Sequence, residues 1–312
     1  MTKPASPAID LTAGFLLAAL ALVWGGSFFF AEIALRALPP LTITLFRVTL
    51  ALPLLCLVLR YKRIALPRDW RIWRAYLVMG GLNNALPFSL IFWGQTQIES
   101  GLASILNGTT AMFGAVAAGL LLKDEPLTPA KLIGAALGGL GVVVIMGPAA
   151  LADLDLRSLG QLAVLGAALS YALASVWGKR HLAGQPPLMN ALGMLLGSTV
   201  LMLPVALYVD GPPRFDFGAE TWGALLGIAL LSTALAYLLY FEILRRAGSA
   251  NLMLVTLLIP PVAVSLGAVL LAERLPQEAY LGFLVIGLGL VVSDGRLPRK
   301  ILNRRRGGVD AP

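Results

Sequence analysis

Apolar positions in this chain run together instead of alternating with polar ones. Runs of about 20 residues are separated by short segments rich in Pro, Gly, Lys and Arg. Boundaries read from that punctuation fall near 13–35, 41–59, 75–93, 101–122, 129–147, 158–178, 188–208, 220–243, 250–272 and 277–293. Segments that are apolar all round have no solvent-facing side, and in lipid each must satisfy its own backbone hydrogen bonds. The pattern therefore predicts an all-α membrane protein with ten transmembrane helices. A closed barrel is excluded, because its strands alternate and are shorter. The first run, Leu11 to Leu35, follows Lys3 but is too long for a secretory signal. Phe28, Phe29 and Phe30 stand where small residues would mark cleavage, so this run is read as a retained span.

Composition agrees with burial in lipid: 58% of residues are hydrophobic and 13% charged, with no stretch left over for a separate soluble domain. The net charge of +8 raises the question of a nucleic-acid partner, but the basic residues sit in short loops, where they set topology. With the N-terminus inside, that side holds Lys3, Arg60, Lys62, Arg63, Arg68, Arg71, Arg74, Lys123, Lys131, Lys179, Arg180, Arg245, Arg246, Arg296, Arg299, Lys300, Arg304, Arg305 and Arg306, which is 19 of the 24. The other side holds Arg36, Arg157, Arg214 and Arg274, and Arg47 lies within a span. The positive-inside rule then places both termini in the cytoplasm, in a bacterial inner membrane, and independently asks for an even number of spans. The single Cys56 excludes an intrachain disulfide, and the lone His181 excludes a His-rich metal centre. No cofactor or nucleic-acid partner is expected; the partners are the bilayer and a small-molecule substrate, handled by a monomer.

The chain also matches itself. A shift of 147 brings Trp24 onto Tyr171 and Pro39, Pro40 onto Pro186, Pro187; a shift of 148 brings Glu125 onto Glu273, Gly134 onto Gly282 and Gly141 onto Gly289. The halves, 1–150 and 151–312, each contain five spans, and an odd number forces the second to enter the membrane from the opposite side. Inverted repeats of this kind are the recurring basis of alternating access, with a solute site near the midplane between them.

The run Leu22-Val-Trp24-Gly25-Gly26-Ser27-Phe28, the run Ala118-Gly-Leu-Leu-Leu-Lys-Asp-Glu125, and Gly134 and Gly141 resemble one EamA repeat of the drug/metabolite transporter superfamily. Ala272-Glu273-Arg274-Leu275 and Gly282 resemble a second. The resemblance covers nearly the whole chain and is most similar to bacterial exporters of aromatic and neutral amino acids of the YddG type. It implies ten helices as two inverted five-helix EamA repeats around a central cavity, with efflux from the cytoplasm; it does not fix the substrate.

Polar groups within spans are costly unless they face the bundle interior, which makes them the place to look for a solute site. Asn83 and Asn84 precede Pro87, which deprives the Asn83 carbonyl of its helical donor. They are read either as a cavity wall or as a kink bonded to its neighbours. The eighth span, the inverted counterpart of the third, carries Thr233, Tyr237 and Tyr240 on one helical face. Tyr171 and Ser175 repeat the spacing with Gly178, and Trp24 with Phe28 and Ala31, as an aromatic wall or as core packing. In the fourth span, Asn107 lies in a stripe with Ser104, Ala111 and Gly114 that serves solute or close packing. Thr256 before Pro260 and Pro261 marks a bend. Glu125 and Glu273 read as helix caps and loop anchors, and Gly134 with Gly138 as packing residues.

Energy coupling needs an ionisable group near the midplane. Glu32 lies eight residues beyond Trp24, roughly 12 Å toward the outer face, and an ion pair with Arg47 is expected there because it neutralises both charges. Glu242 sits beside Arg245 and Arg246. Facilitative export is therefore favoured over proton-coupled multidrug or other metabolite efflux. No Gly-x-x-x-x-Gly-Lys-[Ser/Thr] loop, His-Glu-x-x-His helix or Gly-x-Ser-x-Gly elbow is present, which counts against an ATP-driven pump and an intramembrane enzyme. A cysteine replacing Leu66 in a Cys56→Ala background is expected to resist an impermeant maleimide on intact cells and to react in inverted vesicles. Labelling on intact cells would reverse the assigned orientation.

Overall fold

A computed structural model describes residues 10–123, 127–146, 156–252 and 255–294. Lys3, Glu125 and the basic residues from Arg296 to Arg306 lie outside the described residues. Among those described, ten apolar helices follow one another: α1 Leu11–Leu35, α2 Pro40–Tyr61, α3 Trp70–Gln95, α4 Ser100–Leu121, α5 Pro129–Met146, α6 Arg157–His181, α7 Pro187–Val209, α8 Ala219–Gly248, α9 Val255–Leu270 and α10 Gln277–Ser293. The spans fall where the apolar runs and their punctuation put them. Asp10 caps α1 by accepting from the Ala13 N–H at 2.6 Å. The matched proline pairs open α2 and α7, each with Pro at the first helical position, where a missing N–H costs nothing. Gly248, at φ 76°, ends α8, and α9 begins later than expected.

Packing reproduces the duplication. α1 packs against α8 and α9, and its counterpart α6 packs against α3 and α4, so exchanging the repeats carries one set of contacts onto the other. The pairs α2 with α7 and α5 with α10 each map onto themselves. Where α5 crosses α10, a Cβ on Gly134 would sit 2.6 Å from the Gly289 carbonyl oxygen and one on Gly289 2.6 Å from that of Gly134; Gly141 and Gly282 meet the same way at 2.8 and 2.6 Å. The glycines that match across the self-alignment are thus the ones that touch across the pseudo-twofold axis, with the two helices antiparallel. Lipid offers no hydrophobic drive to bring helices together, so this crossing depends on backbones approaching within van der Waals contact.

Glu273, just after α9, accepts from the Ser100 N–H at 2.9 Å and the Gly101 N–H at 3.1 Å. It caps the first turn of α4 from the other repeat, as expected of a loop anchor.

A leucine at position 289 has no room, whereas one at 287 meets open space. Gly289→Leu is expected to cost about 1–3 kcal/mol, seen as a fall of several degrees in the melting temperature of purified protein. Gly287→Leu should leave that temperature unchanged.

Candidate functional site

The helices α3 and α8 exchange under the repeat symmetry, and both leave α-helical geometry at the same place. Gly81–Ala85 and Gly227–Leu235 are π-helical, and the shift of 147 carries Gly81 onto Ile228. Such segments are rare and concentrate at functional sites. In α3 the cause is Pro87: with no N–H to offer Asn83, the ladder widens, and the Leu86 N–H reaches back to the Gly81 carbonyl. No proline stands at the equivalent place in α8. There the Thr233 hydroxyl donates to the Ile228 carbonyl five residues back, at 2.9 Å.

These two segments deliver the amides and hydroxyls of a buried network. Asn84 donates to the Ser198 hydroxyl of α7 at 3.0 Å, and its Oδ1 accepts from Asn83 and from the Tyr237 hydroxyl, each at 3.2 Å. Ser198 donates in turn to the Met194 carbonyl at 2.6 Å. Next to this network Arg47 of α2 donates from Nε to Thr233 Oγ1 at 3.1 Å, from Nη1 to Ser27 Oγ at 3.1 Å, and from Nη2 to the Ser232 carbonyl at 3.5 Å. Its guanidinium carbon lies 3.7 Å from the centre of the Phe88 ring. Phe88 stands edge-on to Tyr171 at 6.5 Å, while the Trp24 and Tyr240 rings lie 6.0 Å apart with their planes tilted by 47°.

The expected ion pair between Glu32 and Arg47 is absent. Arg47 meets Ser27 on α1, and Glu32, five residues on, is turned about 140° away from that face. Glu32 instead lines an open pocket of about 280 Å³ at the end of the bundle bearing Leu35, with Gln95, Glu99, Arg157 and Glu273. Its Oε2 and the Gln95 Oε1 are buried there without a hydrogen-bond donor among the described residues. Glu242 does pair with its neighbours, at 2.6 Å to Arg245 and 2.5 Å to Arg246.

Of the residues singled out from sequence, Asn83, Asn84, Thr233 and Tyr237 are hydrogen-bonded into this cluster. Trp24, Tyr171 and Tyr240 stand around it as partly buried aromatics. Asn107 stands apart in α4, its Oδ1 buried without a partner among the described residues. Ser175 is exposed, and its hydroxyl returns to the Ala172 carbonyl of its own helix. The central role of Arg47, and the hydroxyls of Ser27 and Ser198, were missed. The available signal was one arginine inside an apolar run, together with the hydroxyls of Ser27 in α1 and of Ser198 and Thr199 near the middle of α7.

The centre is occluded: Ser27, Arg47, Asn84, Ser198, Ser232 and Thr233 are each 7% exposed or less. Polar links join one half to the other at both ends of the bundle. At the end bearing Leu35 they run from Thr42 to Asp210 at 2.8 Å, from Glu99 to Arg157 at 3.0 Å, and from Ser100 to Glu273 at 2.9 Å. At the opposite end Tyr76 donates to Asn190 and the Trp177 indole to the Ala75 carbonyl, each at 3.0 Å, and Arg180 meets the Leu121 carbonyl.

Comparison with known proteins gives one family. The profile of the EamA-like transporter family matches twice, over residues 11–147 and 158–293. An uncharacterized transporter of Archaeoglobus fulgidus is 30% identical, over 78% of this chain and 84% of its own length. The uncharacterized transporter YoaV of Bacillus subtilis is 25% identical over 89% and 95%. A probable amino-acid metabolite efflux pump of Salmonella typhimurium is 28% identical over 90% and 94%. One crystal structure superposes with a TM-score of 0.64 at 19% identity, covering 90% of this chain and 96% of that one, which shows a shared fold.

Asn84→Leu leaves Ser198, Asn83 and Tyr237 each short of a partner, and is expected to destabilise by about 1–3 kcal/mol. Tyr237→Phe removes one hydrogen bond and should cost about 1 kcal/mol, while Ser175→Ala should be neutral. Melting temperatures of the purified variants in that order check the network.

Proposed function

Because the chain belongs to the EamA-like transporter family, we propose that it exports amino acids, aromatic and neutral, from the cytoplasm by alternating access at the cluster between its repeats. The observation that carries this reading is the occluded polar and aromatic cluster, set where two inverted helices both turn π-helical. Amides, hydroxyls and a guanidinium offer hydrogen bonds to a small polar solute, and Trp24, Tyr171, Tyr237 and Tyr240 offer ring faces to its apolar part. A transporter of this design needs two states that differ in which end is closed. Here the links at the two ends of the bundle are separate sets, so one can release while the other holds. The Lys and Arg distribution supports an inner-membrane protein with both termini cytoplasmic. The repeats are assigned to 1–150 and 151–312. A monomer suffices, since the pseudo-twofold contact is satisfied within one chain. The absence of hydrolytic and nucleophilic motifs supports transport without an enzymatic step.

Facilitative export is supported by the lack, among the described residues, of a carboxylate in the cluster. A second reading, proton-linked export, is favoured by the donor-less oxygens of Glu32 and Gln95 in the open pocket, where a proton on Glu32 would supply the missing donor. Reconstituted protein is expected to take up labelled neutral and aromatic amino acids saturably without a pH gradient, and Trp24→Ala and Tyr237→Ala should abolish uptake. Strict dependence on a gradient, lost in Glu32→Gln, would decide for the proton-linked reading. No amino-acid flux through folded protein would sink the substrate assignment.

A further inference from the structure

One charge in the bundle interior stands without a counter-charge among the described residues. Arg47 is 7% exposed, and among the described residues it has no salt bridge. Its hydrogen-bond acceptors, Thr233, Ser27 and the Ser232 carbonyl, are all neutral. They engage one N–H each at Nε, Nη1 and Nη2, leaving one further N–H on each terminal nitrogen. The ring beneath it, Phe88, is neutral as well. Neutral dipoles and a ring face lessen the desolvation of an arginine, yet they leave its charge in place, and a buried charge is ordinarily retained only where something pairs with it. The nearest acid on the facing helix, Glu32, is committed to the open pocket.

We infer that Arg47 is the anchor for the carboxylate of the transported solute, and that the site selects molecules bearing a carboxylate, as anions or zwitterions, over cationic amines. This rests on the transport reading above and sharpens it. A guanidinium with an N–H to spare on each terminal nitrogen offers a carboxylate charge-assisted hydrogen bonds. The phenol oxygen of Tyr237, which donates its proton to Asn84, keeps lone pairs as neutral acceptors for an ammonium group, and the aromatics receive the side chain. A solute with only a positive charge meets a like charge held in a low-dielectric centre with no acid to offset it. The same groups have an alternative structural use: Arg47 ties α2 to α1 and α8 through Ser27 and Thr233. A tie of that kind would stabilise the fold without discriminating among solutes, so selectivity is the readout that separates the two.

The test is uptake into proteoliposomes of phenylalanine, leucine and glutamine, each beside its carboxamide analogue, with 3-phenylpropionate as a carboxylate lacking the amine. Wild-type protein is expected to move the amino acids and phenylpropionate saturably and to discriminate against the carboxamides by about 30-fold or more. Arg47→Gln, shown to be folded by its melting curve, should lose that discrimination by losing carboxylate flux, and Arg47→Lys should keep part of it. Equal flux of amino acids and carboxamides in wild type, or full selectivity in Arg47→Gln, overturns the anchor and leaves transport standing. Flux of cationic amines alone does the same. No flux of any of these solutes overturns both the anchor and the amino-acid reading. Where Arg47→Gln does not fold, the wild-type selectivity decides.

Discussion

A fixed positive charge held inside a lipid-embedded bundle organises the polar chemistry of this protein. Arg47 draws a hydroxyl from α1, a hydroxyl and a carbonyl from α8 and a ring face from α3 to one point. The asparagine, serine and tyrosine network lies alongside it. Each of these groups would be expensive in hydrocarbon alone; gathered together they satisfy one another and leave a single unbalanced quantity, the charge itself. That imbalance is the observation on which the proposed carboxylate anchor rests.

The repeat symmetry explains why the polar centre sits where it does. Exchanging the halves carries α3 onto α8, so two π-helical segments enter the same region from opposite directions and present their widened turns to it. The chemistry that stabilises the two differs, proline in one and a threonine hydroxyl in the other, while the geometry is shared. Under the proposed alternating access, inverted halves with equivalent irregularities would exchange conformations, and the separate sets of links at the two ends would be the contacts made and broken.

Much of this was legible in the chain. The spans were fixed by runs too apolar to face water and by the short segments rich in Pro, Gly, Lys and Arg that separate them. The π-helical turn in α3 was announced by Pro87; its partner in α8 was not, because a threonine bonding to its own helix leaves no mark in a sequence. The pairing of Glu32 with Arg47 failed for a geometric reason: Arg47 meets Ser27, five residues earlier on α1, so Glu32 lies roughly 7.5 Å farther along the axis and about 140° around it. Ser175 shows the same limit. It shares a helical face with Tyr171, yet that face is covered at one turn and open at the next, which depends on where neighbouring helices lie and not on spacing.

The crossing of α5 and α10 has a consequence for assembly. Gly134 meets Gly289 and Gly141 meets Gly282, so each helix offers the other a copy of the surface it receives. This is the isologous contact of a twofold homodimer, realised inside one polypeptide. Such a surface is self-complementary before it is joined, and fusing the two copies adds no new chemistry to it. Covalent linkage instead fixes the ratio of the halves at one to one and replaces a concentration-dependent encounter in the bilayer with an intramolecular one. It also frees each copy to diverge. Only one half then has to carry an Arg47, and a symmetric scaffold can hold a solute in an asymmetric site.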